Sequence, residues 1–87
     1  MTQVLIPSQL QSYCGGVSRV EAAGATIEAV LDDLDRRFPG LKFRVIDEQD
    51  RVRPHVRLYV GLEAARDIRR PLAAGDELMI FGALSGG

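Results

Sequence analysis

The sequence has 87 residues, of which 46% are hydrophobic and 26% are charged, and its formal net charge is −1. These values are typical of one small globular domain, and they exclude a disordered chain or two separately folded domains. A nearly neutral chain lacks the positive charge of most nucleic-acid-binding proteins, so we expect no nucleic-acid partner. Cys14 is the single cysteine, and neither a signal peptide nor a long apolar run is visible. We therefore expect a cytoplasmic protein with no membrane partner.

Two short apolar runs lie near the start of the chain. Gln3–Ile6 predicts a first strand, which Pro7 ends because proline cannot continue the hydrogen-bonded ladder of a sheet interior. Val17–Ala22 predicts a second strand. Gly15-Gly16 between the runs is typical of a turn, so we expect an antiparallel hairpin with a long connecting loop.

The segment after Gly24 predicts the main helix. Thr26 suits the N-cap position, and Pro39-Gly40 ends the helix. Aspartates between the apolar positions predict a solvated helix face rather than an acidic site. The apolar positions form one stripe at helical spacing, namely Ile27, Val30, Leu31, Leu34 and Phe38.

The sequence of residues 41–55 does not indicate a single secondary structure. Leu41–Ile46 suits either a further helical turn or a strand. The acidic loop 47–51 lacks the glycine and the final glutamate of a calcium loop, so we expect no metal site there. His55 has no other ligand at suitable spacing, and we interpret it as a surface or strand-end histidine.

The last third of the chain predicts further strands. Val56–Val60 alternates between apolar and polar residues and ends at Gly61. Asp67-Ile68 predicts a very short edge strand, and Glu77–Phe81 predicts the final strand. Strands of this kind with one helix on a single face indicate an α+β domain.

Strand alternation also predicts an apolar patch on the sheet face away from the helix. Four residues would form it: Leu5, Tyr59, Met79 and Phe81. A monomer without a partner seldom keeps such a patch, so we predict a partner-docking surface. The alternative is that the loop of residues 40–55 covers this patch as a second small cluster.

The chain ends in two glycines after a short run of small residues. We predict a folded domain over residues 1–82 and a flexible tail over residues 83–87, in which Leu84, Ser85 and Gly86 precede Gly87. A frayed end is one interpretation, because terminal glycines add nothing to stability. The other interpretation is that the terminal carboxylate is the reactive group.

The ordered set of motifs resembles the MoaD/ThiS sulfur-carrier family over essentially the whole chain. This resemblance implies a ubiquitin-like β-grasp fold, with a mixed four- to five-stranded sheet and one main helix packed on one face. The length and the 40–55 loop resemble the CysO-like subgroup. Two departures are Gly61, where many relatives have asparagine, and a tail without the proline common in molybdopterin-type carriers. The shared motifs are Ile6-Pro7, the Thr26-initiated helix, Phe38-Pro39-Gly40-Leu41, Val56–Val60, the Gly75-Asp76-Glu77 turn and Gly86-Gly87.

The resemblance also implies a mechanism. In this family the carboxylate of the last glycine, here Gly87, attacks the α-phosphate of ATP on a partner activating enzyme. The acyl-adenylate then takes up sulfur to become a thiocarboxylate. The implied partners are an ATP-dependent activating enzyme and a sulfur-acceptor enzyme, and the chain itself binds no cofactor. We expect no enzymatic activity of its own, since Cys14 has no histidine in any motif to activate it.

Two other functions stay open at this point. The protein could be a ubiquitin-like modifier conjugated through Gly87, in which case Lys42, the only lysine, and Met1 are the sole sites for chain formation. It could also be a plain β-grasp interaction module with an incidental diglycine. The product that receives the sulfur (cysteine, molybdopterin, thiamine or a thiolated metabolite) is equally open.

Overall fold

A mixed sheet of five strands carries the main helix on one face. The computed structural model describes residues 1–82, so the predicted tail of residues 83–87 lies outside the described residues, and the division between domain and tail stays a prediction. The elements in chain order are β1 (Thr2–Leu5), a 3-10 helix (Ser8–Cys14), β2 (Arg19–Ala22), α1 (Ile27–Arg37), α2 (Leu41–Val45), β3 (Val56–Val60), β4 (Glu63–Ala65) and β5 (Glu77–Gly82).

The strand order in the sheet is β2-β1-β5-β3-β4, so the last strand occupies the centre. β1 and β5 are parallel, and the other neighbouring pairs are antiparallel. Parallel neighbours need a long crossover connection, which the helices and the second half of the chain supply here. The predicted hairpin of the first two strands, the mixed sheet and the α+β class are confirmed.

Helix α1 begins and packs as predicted. The Thr26 hydroxyl oxygen accepts a hydrogen bond from the backbone N–H of Ala29 at 3.1 Å, which is the expected N-cap contact. Phe38 lies just beyond the helix and is partly buried against the core. The buried residues along the helix are Ile27, Val30, Leu31 and Leu34, and buried residues of the sheet core include Val4, Leu58, Leu78 and Ile80.

The acidic face of α1 is not only solvated, because Asp33 on this face forms a hydrogen-bond network. Its carboxylate accepts hydrogen bonds from the backbone N–H of Ala23 at 3.0 Å, from Arg36 at 2.8 Å and from Arg37 at 3.0 Å. Arg37 also donates to the carbonyl of Glu21 at 2.7 Å. The Ala23 N–H, followed by the arginines, holds the pKa of Asp33 below its usual value. This network joins the C-terminal half of α1 to the end of β2.

The connection between β1 and β2 differs from the predicted loop. It contains the 3-10 helix Ser8–Cys14, and β2 begins at Arg19 rather than at Val17. Cys14 is only 2% exposed, so the side chain that ends the short helix is buried in the core. Gly15 follows with a φ of 67°, a left-handed conformation that glycine adopts without strain.

The prediction of an edge strand at Asp67-Ile68 is wrong. The edge strand is β4, which follows β3 after Gly61 and Leu62 and pairs with it antiparallel. Ile68 is buried instead, and its carbonyl accepts from the backbone N–H of Glu28 at 2.7 Å. Residues 67–70 therefore satisfy N–H groups in the first turn of α1, which an isolated helix leaves without partners.

Of the two possibilities left open for Leu41–Ile46, the helical one is correct. Gly40 has a φ of 95° and lies between α1 and α2, where it allows the chain to change direction. Leu41 and Val45 are fully buried, and α2 packs against α1 and the 3-10 helix. This part of the 40–55 segment therefore belongs to the helical layer.

Candidate functional site

The four residues predicted to form the apolar patch lie on one face of the sheet. Met79 of β5 is opposite Leu5 of β1 on one side and opposite Tyr59 of β3 on the other, so the three form one row across the sheet. Phe81 lies two residues further along β5. Its ring contacts that of Tyr59 edge to face, with the centroids 5.6 Å apart at an interplanar angle of 81°. We call these four residues the open-face patch.

The open-face patch is accessible. Phe81 is 48% exposed, and the other three side chains are half-buried. The alternative in which the 40–55 segment covers the patch is not supported, because α2 packs in the helical layer and Phe81 stays exposed. The adjacent β5 residues Leu78 and Ile80 are buried on the other face. Side chains alternate between the two faces of a strand, so the same strand supplies both the core and the patch.

Strand β5 ends at Gly82, beside the open-face patch. The carbonyl of Gly82 accepts a hydrogen bond from the side-chain amide of Gln9 at 3.2 Å. Gln9 belongs to the 3-10 helix, 73 positions earlier in the chain, so no local pattern could have indicated this contact. Gly82, the last described residue, thus forms a hydrogen bond with a residue from the first third of the chain.

The predicted reactive residue Gly87 and its neighbours Leu84, Ser85 and Gly86 lie outside the residues that the structure describes. Their roles in the tail stay predictions. The last described element, β5, ends at Gly82, directly after Phe81 of the open-face patch.

Cys14 and His55 differ in their surroundings, since Cys14 is buried and His55 is exposed. Cys14 is buried, and burial raises the pKa of its thiol although the nearby Arg37 acts in the opposite direction. A neutral buried thiol is a poor nucleophile. His55 is exposed and directly precedes β3, as interpreted from the sequence.

Two kinds of feature are absent from residues 1–82. No three histidine, cysteine, aspartate or glutamate side chains in this range are grouped so that they could hold a metal ion. No helix within the same range has the length and apolar character to cross a membrane.

The fold and the patch define a class of protein: a ubiquitin-like β-grasp domain whose open sheet face carries an apolar surface beside its last strand. The ThiS family model matches residues 4–87, so the chain belongs to the ThiS family. Sulfur carrier protein CysO from Mycobacterium tuberculosis and from Mycobacterium bovis is 34% identical over 89 residues, which covers 97% of this chain and 96% of the relative.

Solved structures agree with the family assignment. A chain of the Amycolatopsis orientalis BexX/CysO complex matches all of this chain over its own full length, with a TM-score of 0.91 and 32% identity. CysO of Mycobacterium tuberculosis matches with a TM-score of 0.89 and 29% identity, covering 97% of this chain and 100% of its own. SAMP1 from Haloferax volcanii, a small archaeal modifier protein, has a TM-score of 0.76 and 32% identity, with 99% and 98% covered. The ubiquitin-like β-grasp fold is therefore confirmed.

Proposed function

We propose that this protein is a sulfur carrier in biosynthesis and that the carboxylate of Gly87 carries the sulfur. The observation that supports this most directly is that the ThiS family match extends to Gly87 and that the curated relatives, aligned over 97% of the chain, are sulfur carrier proteins. In this role the protein is a co-substrate for other enzymes. Cytoplasmic location, expected from the sequence, belongs to the same proposal.

The proposed chemistry requires little from the carrier except an accessible carboxylate. A terminal carboxyl has a pKa of about 3.3–3.7, so it is an anion at neutral pH and needs no base. One carboxylate oxygen attacks the α-phosphate of ATP on the activating enzyme, pyrophosphate leaves, and the acyl-adenylate of Gly87 forms. A sulfide-level donor then displaces AMP and leaves a thiocarboxylate, whose sulfur passes to an acceptor enzyme.

The tail is suited to deliver this group. Five residues after Gly82 span at most about 17–18 Å when extended, which is enough to enter a partner's active site from a docked domain. The last two residues have no Cβ atom, so the backbone can pass through a narrow channel and adopt conformations that other residues rarely reach.

We assign the open-face patch to docking of the activating enzyme. The patch is apolar and accessible, and it borders the strand from which the tail begins. Surfaces of this kind are typical of protein interfaces. The sulfur-acceptor enzyme is the second expected partner, and the crystallised complex of BexX with the related CysO is an example of a protein partner in this family.

Intact-protein mass spectrometry tests the proposed function. The protein is incubated with its cognate activating enzyme, ATP and a sulfide source. We expect the mass increase that corresponds to replacing one oxygen by sulfur, and we expect Gly87→Ala to impair it while the thermal melting curve is unchanged. Ser85→Ala serves as the tail control and should retain the modification. Normal thiocarboxylate formation and sulfur transfer by Gly87→Ala would overturn the proposal.

The similarity to SAMP1 favours one second candidate, a ubiquitin-like modifier conjugated through Gly87. The ammonium group of Lys42, the only lysine, forms an ion pair with the carboxylate of Asp32. The hydrogen bond that Lys42 donates to the Asp32 carboxylate raises the pKa of Lys42, which disfavours the neutral amine needed for isopeptide formation. Conjugates of higher mass on a reducing immunoblot would support single attachment to other proteins, and their absence would exclude this candidate.

A further inference from the structure

A pocket rich in arginine lies beside the open-face patch. Its volume is about 440 Å³, and four arginines line it: Arg51, Arg53, Arg57 and Arg66. Tyr59 of the open-face patch lines the same pocket, so the two surfaces are continuous. No aspartate or glutamate is among the lining residues. We call this surface the arginine pocket.

Two of the four guanidinium groups have no carboxylate partner within residues 1–82, so they can donate hydrogen bonds to a carboxylate of another molecule. Arg57 donates to the backbone carbonyl of Pro54 at 3.2 Å, a neutral partner that leaves its charge uncompensated. The side chain of Arg66 makes no hydrogen bond and no ion pair to any residue in the range 1–82. Both side chains belong to exposed residues, so the conformations needed for an external contact are open to them.

The other two arginines are already oriented by local contacts. Arg53 donates to the carbonyl of Phe43 at 2.7 Å, and its guanidinium lies 4.5 Å from the centroid of the Phe43 ring. Arg51 approaches Asp47, with 3.8 Å between nitrogen and oxygen. Arg53 therefore adds positive charge to the pocket in an oriented position, whereas the charge of Arg51 is partly compensated by Asp47.

Charge is distributed unevenly along the open face. At the end where β5 begins, Gln3 lies between Glu21 and Glu77 across three strands. At the end where β5 stops, Arg57 is opposite Phe81, two residues beyond Met79 of the apolar row. Along β5, the open face therefore changes from an acidic end through the apolar row to a basic end. The predicted tail follows the basic end in the chain.

We infer that the arginine pocket binds an acidic segment of the activating enzyme and that the charge order along the open face sets the direction in which the carrier docks. This inference rests on the proposed function. Guanidinium groups match carboxylates geometrically and bind them with two parallel hydrogen bonds. The reverse orientation would place the partner's acidic groups against Glu21 and Glu77, and like charges in contact disfavour a complex.

A protein segment fits this pocket better than other anionic partners. The pocket continues into an apolar surface, which a partner with mixed apolar and acidic residues can cover in one contact. A nucleic acid would gain no general electrostatic attraction from the remaining surface, because the net charge of the chain is −1. Charged groups at the edge of an interface mainly accelerate association, so the effect should appear in the association rate and depend on salt.

The test compares charge reversals on two sides of the full-length protein. Arg57→Glu and Arg66→Glu alter the arginine pocket, whereas Arg36→Glu, at a side chain 72% exposed on α1, changes the net charge equally on the helical side. Association with the cognate activating enzyme is followed by stopped-flow fluorescence at low and high NaCl. We expect the two pocket variants to associate roughly tenfold more slowly at low salt, with the difference shrinking at high salt. Arg36→Glu should associate like the wild type.

Three results would overturn the inference. Equal slowing of all three variants would show a net-charge effect without a specific pocket. Unchanged rates for folded Arg57→Glu and Arg66→Glu would remove the pocket from the interface. Nuclear magnetic resonance shifts at Arg57 and Arg66 with pyrophosphate alone, matching those with the enzyme, would assign the pocket to a small anion. Absence of any wild-type binding or adenylation would instead contradict the proposed function itself.

Discussion

Replacing Phe81 by alanine should separate docking from folding. Phe81 is 48% exposed and belongs to the open-face patch. A phenylalanine side chain buries about 200 Å² when fully covered, so docking would remove a further ~100 Å² from water. At about 25 cal/mol per Å² this corresponds to about 2.5 kcal/mol of lost binding free energy. We therefore expect Phe81→Ala to weaken the Kd for the activating enzyme about 60-fold.

The substitution should also lower the free energy of unfolding, because the half of the Phe81 side chain that is already covered in the folded protein contributes about 2.5 kcal/mol at the same coefficient. Phe81 contacts Tyr59 edge to face, and losing such an aromatic pair costs about 0.5–1.5 kcal/mol beyond the area term. Leu78 and Ile80, which carry the core side of the same strand, are unchanged. The variant should thus have a clearly lower melting temperature, and its binding is measured well below that temperature, where circular dichroism verifies that it is folded.

Leu62→Ala provides a control. Leu62 is 98% exposed in the turn between β3 and β4, and it belongs neither to the open-face patch nor to the arginine pocket. Isothermal titration calorimetry with the activating enzyme would compare both variants with the wild type. A Kd for Phe81→Ala within twofold of the wild type would refute docking through this surface. An equal loss of affinity in Leu62→Ala would refute the location of the docking surface at the open-face patch.

Two further predictions concern the fold. A Cβ atom at Gly24 would lie 2.6 Å from the backbone nitrogen of Val30. Gly24→Ala should therefore lower the free energy of unfolding by about 1–3 kcal/mol. An unchanged midpoint of urea unfolding would contradict this close approach. Because the pKa of Asp33 is depressed in the folded state, its stabilising effect is complete above the unfolded value of about 3.9 and is lost as the pH falls below it. Asp33→Asn should therefore show a shallower loss of melting temperature below about pH 4, and parallel curves for the two proteins would contradict the assignment.

Much of the fold could be predicted because its patterns are local. The N-cap at Thr26 and the apolar stripe of α1 depend on residues within a few turns of one another, and both are confirmed. The strand at Val56–Val60 was predicted with its correct bounds. The open-face patch followed from the same alternation, since successive side chains of a strand point to opposite faces.

The short elements could not be predicted in the same way. The 3-10 helix Ser8–Cys14 ends with its buried cysteine in the core, and the pattern of its residues alone resembles a loop. The edge strand was expected at Asp67-Ile68, where the pattern is weak. Its actual position, Glu63–Ala65, depends on hydrogen bonds to β3 that the sequence does not display. Such elements are stabilised by tertiary contacts rather than by their own propensity.

The sequence by itself determined the terminal Gly86-Gly87, the helix, the alternating strands and the resemblance to a sulfur-carrier family, because each depends on residue type and short spacing. Only the tertiary structure decided which residues meet across the chain. It placed β5 at the centre of the sheet, brought Gln9 to Gly82, and joined arginines from residues 51–66 into one pocket beside the open-face patch. These contacts depend on the order of the strands in the sheet. That order is determined by packing between residues far apart in the chain, so local sequence patterns do not predict it.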